Sequence, residues 1–398
     1  MKNFDKILTN YAKVMIDFAL GKGKGIKKGK IVYLIYDIEA KPLALAIFKR
    51  ILEKGGYPMV RSADEDFEKA MFEIASDDQL RFFPKKYFKT LVKTIDHRLY
   101  LMAPKDPFLL KNIDSRKIIL ANNQRRLFKK WLFEKEDKGK LTWSLCLYPT
   151  EKMATEAKLT LKGYWQQIIR ACFLDEDNPI KTWKTVFSQI EDLKKKLNQL
   201  PIEKIHLISK NTDLWVKLGE KRLWQGGRGA NIPSFEIFTS PDWRGTEGKI
   251  YFDFPLYRYG NLIEDIYLEF KNGVIINTKA KKNEKLIQEM IKQKNADKIG
   301  EFSLTDKRFS RINKFMANTL YDENFGGNYG NSHIAIGSSY HDCFSGDKLK
   351  MKEKDWQKLG YNDSVEHTDI INTLPKTVEV ILKDKVKKTI YKNGLFLI

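Results

Sequence analysis

The spacing of apolar residues changes character near Pro201, and that change limits the fold more than any other feature of the chain. Before it, helical and strand periods alternate. Apolar residues recur at helical spacing over Asn3–Leu20, and a β-rich run follows at Ile31–Tyr36. Pro42–Glu53 reads as a helix closed by Gly55-Gly56, and Tyr57–Val60 as a second strand. Further helices are predicted over Glu65–Ile74, Pro84–Ile95, Ser115–Glu134, Thr160–Cys172 and Pro179–Leu200. Strands separated by helices argue for an α/β layer on a largely parallel sheet.

Beyond Pro201 the strands are short and glycine is more frequent. Strands are predicted at Ile205–Ile208, Leu214–Leu218, Lys249–Phe254, Ile263–Phe270, Val274–Thr278, Val378–Leu382 and Thr389–Tyr391, with one helix at Glu284–Gln293. Asn272-Gly273 and Asn393-Gly394 are hairpin signals, because both residue types tolerate positive φ. The expected architecture is therefore an α/β N-terminal domain, residues 1–204, followed by an α+β C-terminal domain, residues 205–398. A length of 398 residues suits two or three domains, each with its own core.

Composition excludes several classes. A hydrophobic fraction of 42% with 12% aromatics is not that of a disordered chain. No apolar run approaches the roughly 18 residues of a spanning helix, so no membrane association is expected. The first residues, Met1-Lys2-Asn3-Phe4-Asp5-Lys6, do not open a secretory signal. Cys146, Cys172 and Cys343 are too few and too scattered for a disulfide framework or a thiolate zinc site, and a reducing cytoplasm fits them.

The net charge of +21, from 72 Lys+Arg against 51 Asp+Glu, invites a nucleic-acid reading. Its distribution argues otherwise. Residues 1–200 carry net +15, while residues 301–370 hold 9 basic and 11 acidic side chains, net −2. No aromatic-basic repeat of the kind used to stack bases is present. A lysine-rich solvated surface accounts for the excess, and a basic nucleic-acid-binding protein stays as the alternative.

Two motifs fail on inspection. Gly21-Lys22-Gly23-Lys24-Gly25 lacks the Gly-Lys-Ser/Thr ending of a phosphate loop and follows a helix where a phosphate cradle needs a strand. His341 and Cys343 are close in sequence, which is poor evidence for a nucleophile and its base.

A third constellation holds together. Of five histidines, His333, His341 and His367 fall within the locally acidic stretch. His367-Thr368-Asp369 places imidazole and carboxylate on one side of an extended segment, a donor pair suited to a borderline divalent cation. Glu236, Glu301 and Glu323 each stand among apolar neighbours, either facing solvent from a strand or buried and in need of compensation. A bound cation is one of the few ways to hold several carboxylates together.

The order of these motifs resembles the thermophilic-type metallo-aminopeptidases, the aminopeptidase T and aminopeptidase S kind, along nearly the whole chain. The resemblance is carried by Ala103-Pro104, Tyr148–Ala154, Asp213-Leu214, Trp224, Asn231–Asp242, Glu247-Gly248, Gly300-Glu301, Thr319–Asn324, His333–Gly337 through Tyr340, and His367-Thr368-Asp369. It implies an enzyme that releases N-terminal amino acids from peptides with a water activated by two divalent ions (zinc, cobalt, manganese or magnesium). It implies Glu236, Glu301, His333, His367 and Asp369 as metal ligands, Glu323 as a further ligand or an acid close beside them, and Glu301 as bridging and also serving in catalysis. Tyr340 is implied beside the scissile carbonyl as oxyanion stabiliser or proton donor. The resemblance further implies a homodimer whose N-terminal domain helps enclose the site. A di-metal amidohydrolase of another substrate class would share these ligands. Two departures stand out. Phe235 precedes the first glutamate where the family carries glycine. Asn324–Ser332 lengthens a connection that is tight in the family, and its glycines predict a flexible loop.

Overall fold

A computed structural model of the chain describes residues 4–398. The chain packs as two compact units. One comprises the described residues up to Thr185 with Arg228–Ser234 and Tyr259–Asn261; the other comprises Val186–Gly227, Phe235–Arg258 and Leu262–Ile398.

The first unit is built on a five-stranded parallel sheet, ordered Tyr57–Ala63, Ile31–Asp37, His97–Met102, Thr142–Leu147 and Asn231–Ile232. The strands at His97 and Thr142 are absent from the sequence reading, and they complete the parallel layer that the helix–strand alternation implied. Val32, Leu34, Leu99, Leu101 and Cys146 bury one face completely. The other face packs Tyr33 against Leu91, Ile95 and Leu141. The first predicted helix begins at Asn3, which lies outside the described residues, and its described part is a helix, Phe4–Lys13, that runs into a π-helical turn, Val14–Ala19. The single helix expected over Ser115–Glu134 is two helices, Ser115–Gln124 and Arg126–Asp137, because Arg125 departs from helical ψ (φ −76°, ψ −6°).

The second unit holds two antiparallel sheets. The larger has eight strands, ordered Val274–Lys279, Ile266–Lys271, Asp242–Phe252, Thr212–Lys217, Ile202–Ser209, Lys376–Leu382, Lys387–Lys392 and Leu395–Phe396. Both expected hairpins are present, with Asn272-Gly273 and Asn393-Gly394 at positive φ in the turns. The smaller sheet comprises β1 (Glu236–Thr239), β2 (Ile299–Thr305), β3 (Asn331–Gly337) and β4 (His367–Asn372), in the order β4-β3-β2-β1. The two sheets are tied by Tyr391, whose hydroxyl donates to Thr305 O at 2.7 Å, and by Asn372, whose amide donates to Tyr251 O at 2.7 Å.

The small sheet follows from alternation in its strands. Ile237, Phe302, Leu304, Ile334, Ile336 and Ile370 occupy one face and are wholly buried. The opposite face carries Glu236, Glu301, Ser303, His333, Ala335, His367 and Asp369. Period two sends both sets to their faces at once. Among the described residues no helix is long and apolar enough to cross a membrane.

Candidate metal centre

Register brings the polar face into one cluster. Glu236 lies opposite Thr305, Ser303 opposite His333, Glu301 opposite Ala335, Ala335 opposite Asp369, and Gly337 opposite His367. Five of the six proposed ligands thus come from four neighbouring strands. Ala335 sits between Glu301 and Asp369 and contributes only a methyl group there.

The donor atoms form two groups that share one residue. Glu236, Glu301 and His333 make the first; Glu301, His367 and Asp369 make the second, and within each group the ligand atoms lie within 4.8 Å of one another. His333 Nε2 stands 3.2 Å from Glu236 Oε2 and 3.3 Å from Glu301 Oε1. His367 Nε2 stands 3.8 Å from Glu301 Oε2 and 3.5 Å from Asp369 Oδ1. Glu301 therefore turns one oxygen toward each group. Ser303 Oγ donates to Glu236 Oε2 at 3.1 Å and fixes that carboxylate. His367 Nδ1 lies 2.9 Å from Ser338 O. A carbonyl only accepts, so Nδ1 carries a hydrogen, and Nε2 is the ring nitrogen turned toward the carboxylates.

Electrostatics describe a crowded interior. Burial pushes the Glu301 carboxyl up to about 7, opposed by the hydrogen bond with His333 and reinforced by Glu236 and Asp369. Burial disfavours a charge on His333, yet Glu236 and Glu301 more than offset it and hold the imidazole well above its usual range. His367 is likewise raised to about 9, because Asp369 and Glu301 outweigh its burial. Burial acts to raise Asp369, but the charge on His367 carries it below the ordinary carboxylate value. The ion-pair partners of Glu236, Glu301 and Asp369 in this cluster are the two histidines. Two imidazoles and three carboxylates converging in a buried space fit divalent cations in donor chemistry.

Glu323 and Tyr340 stand outside both groups. Glu323 follows the short helix Thr319–Asp322 and is buried; burial, then the charges of Glu236 and Asp369, raise its carboxyl well above the ordinary range. Tyr340 follows β3, with its ring centre 4.7 Å from that of His367 and its backbone N–H donating to Ser240 Oγ at 2.8 Å. Burial and the surrounding carboxylates hold its phenol well above 10, so the hydroxyl keeps its proton.

The lengthened connection is a packed loop. Asn324 is wholly buried; its Oδ1 accepts from Phe235 N at 2.6 Å and its Nδ2 donates to Leu320 O at 3.0 Å. Asn331 Nδ2 donates to Glu323 O and Phe325 O at 2.9 and 2.8 Å. These side-chain amides brace the backbone on both sides of the expected flexible segment. His341 stacks flat on Trp356 at 3.9 Å, and burial pushes the Cys343 thiol up to about 12, so neither belongs to a thiolate nucleophile.

The sequence matches the family described as thermophilic metalloprotease (M29) over residues 4–396. Among curated proteins it is 28% identical to aminopeptidase AmpS of Bacillus subtilis (strain 168), with 99% of each chain covered. It is 25% identical to aminopeptidase PepS of Streptococcus thermophilus, with 100% of each covered. The fold resembles that of the solved wild-type AmpT from Thermus thermophilus, with a TM-score of 0.83 at 23% identity, covering 99% of this chain and 100% of that one.

Proposed function

The chain belongs to the thermophilic metalloprotease family (M29), and from that membership we propose that it is a metal-dependent aminopeptidase releasing N-terminal residues from peptides with a free N-terminus. One observation carries the two-ion form of this reading: Glu301 belongs to both ligand groups and offers each a different oxygen. Glu236, Glu301 and His333 would hold one divalent ion, and Glu301, His367 and Asp369 the other, whether zinc, cobalt, manganese or magnesium. Such ions supply Lewis acidity and lower the pKa of water near neutrality.

The chain's own groups account for the remaining chemistry. Tyr340 keeps its proton and donates a hydrogen bond to the oxyanion that develops on the scissile carbonyl. Glu323 stands outside both ligand groups and shares their field, which suits it to pass a proton to the leaving amine. Glu301, as the shared ligand, keeps the two groups at a fixed separation. The substrate's free α-amino group can bind an ion as a neutral amine or pair with a carboxylate outside the ligand groups, which selects chain ends over internal bonds. In this reading the enzyme is a cytoplasmic homodimer, with residues 205–398 as the catalytic part.

The test is metal analysis of the purified protein together with release of leucine from leucyl-amide and leucyl-peptides. We expect two equivalents of metal per chain, loss of activity on chelation, and recovery with cobalt, manganese or zinc. Activity that resists chelation overturns the reading. Equal cleavage of N-acetylated substrates converts it to an amidase of another class.

A further inference from the structure

We propose that Asn362 is a positioning residue for the His367 half of the metal centre, an inference that rests on the two-ion reading above. Asn362 lies between the helix Glu353–Lys358 and β4 and is 6% exposed. It makes four hydrogen bonds, three of them to the turn that leaves β3. Its Nδ2 donates to Gly337 O at 2.6 Å and to Asn295 O at 2.7 Å, which uses both amide hydrogens. Its backbone N–H donates to Ser339 Oγ at 3.0 Å, and its carbonyl accepts from Ser339 N at 2.8 Å.

These bonds grip the residues on either side of Ser338. Ser338 in turn donates its N–H to Glu366 O at 2.8 Å and accepts from His367 Nδ1 with its carbonyl at 2.9 Å. The turn leaves little slack elsewhere. Gly337 has φ +103°, and a Cβ there would lie 2.2 Å from Glu366 O. A Cβ at Gly300 would lie 2.2 Å from Ser338 O, so β2 also passes hard against the turn. The carbonyl that sets the ring orientation of His367 is thus held through Asn362. The first ligand group has separate supports: Ser303 orients Glu236, and His333 stands inside β3. Loss of the Asn362 side chain should therefore loosen one group and spare the other.

The test uses the full chain. Wild type, Asn362→Asp, Asn362→Ala and Ser339→Ala are stripped of metal and titrated with zinc or cobalt by calorimetry, with stoichiometry checked by elemental analysis. Asn362→Asp keeps the shape and the backbone bonds and loses both donors. Ser339→Ala removes the partner from the other side and covers the case in which an Asn362 variant fails to fold. Asn10→Ala serves as control, because Asn10 makes a comparable buried bond to Leu174 O at 2.9 Å in the other unit. We expect two ions in wild type. In the Asn362 variants one ion binds as before and the other roughly tenfold or more weakly, in the range for partners that orient ligand histidines. Ser339→Ala should show the same selectivity with a smaller loss, and Asn10→Ala only a lower melting temperature. Variants that lose stability with both affinities unchanged, or weaken both equally, overturn the proposal. A wild type that binds fewer than two ions overturns the reading beneath it.

Discussion

The imidazoles of His333 and His367 face different oxygens of one carboxylate, with Nε2 of the first 3.3 Å from Glu301 Oε1 and Nε2 of the second 3.8 Å from Glu301 Oε2. The two histidines stand on adjacent strands, and Glu301 reaches between them because its register partner is the small Ala335.

Glu301 should therefore be the ligand whose loss costs most. Glu301→Gln is expected to bind neither ion tightly, whereas Asp369→Asn should retain one, since the group of Glu236, Glu301 and His333 stays whole. Elemental analysis after dialysis checks this. Equal stoichiometry in the two variants would remove Glu301 from its shared role.

Position 335 can be enlarged deliberately. Ala335 is wholly buried, so Ala335→Leu forces bulk between Glu301 and Asp369. We expect a stability cost of about 1–3 kcal/mol from overpacking and loss of metal binding out of proportion to it. Thermal melting with and without added metal measures both, because an ion that binds only the native state raises the melting temperature.

Tyr340→Phe should bind metal normally and lose turnover. Removal of one transition-state donor costs roughly 10²–10³-fold in kcat, with KM little altered. Because the phenol is held well above 10, wild-type activity should show no loss from Tyr340 ionisation up to about that pH. A steady-state pH profile of wild type and variant decides it; an unchanged kcat in the variant rules out the donor role.

Lys376 supplies a stability prediction away from the site. It is 2% exposed, and among the described residues its Nζ meets no hydrogen-bond partner. Burial drives its pKa from 10.5 down to about 7, against an upward pull from Asp253. Between those values the unfolded chain binds the extra proton, so this group's contribution makes stability rise with pH from about 7 toward 10.5, and the full penalty applies below about 7. Lys376→Met should be more stable than wild type at pH 7 by ~1–4 kcal/mol, as when buried charges give way to apolar groups. The gap should shrink toward pH 10. Urea melts across that range would contradict the account if the gap stayed constant.

The outer architecture was legible because its signals are local. Helix–strand alternation and two Asn-Gly hairpins can be read within a few residues, and the structure has both. The strands of the metal sheet are harder to read, although they alternate cleanly. Ile299–Thr305 and Asn331–Gly337 are buried on both faces, so Glu301 and His333 sit where an exposed residue is usually inferred from a polar one. Residue types flagged the donors, but only strand pairing shows that Glu301 and Asp369 flank Ala335. The packing of the loop after Glu323 is hidden for a related reason. Gly326, Gly327 and Gly330 suggest slack, while the brace comes from Asn324 and Asn331, whose partners the sequence does not reveal.

The ligands of the small sheet run from residue 236 to residue 369, and β4 takes its place only by pairing with β3. A chain that has not closed these distant pairings has no complete donor set, so cations have little to grasp early in folding. Long-range strand pairing is slow to form. Interactions that arise only after the rate-limiting barrier slow unfolding rather than speed folding. Bound metal should accordingly act as a late lock, lengthening the lifetime of the native state and leaving the refolding rate of the stripped chain nearly unchanged.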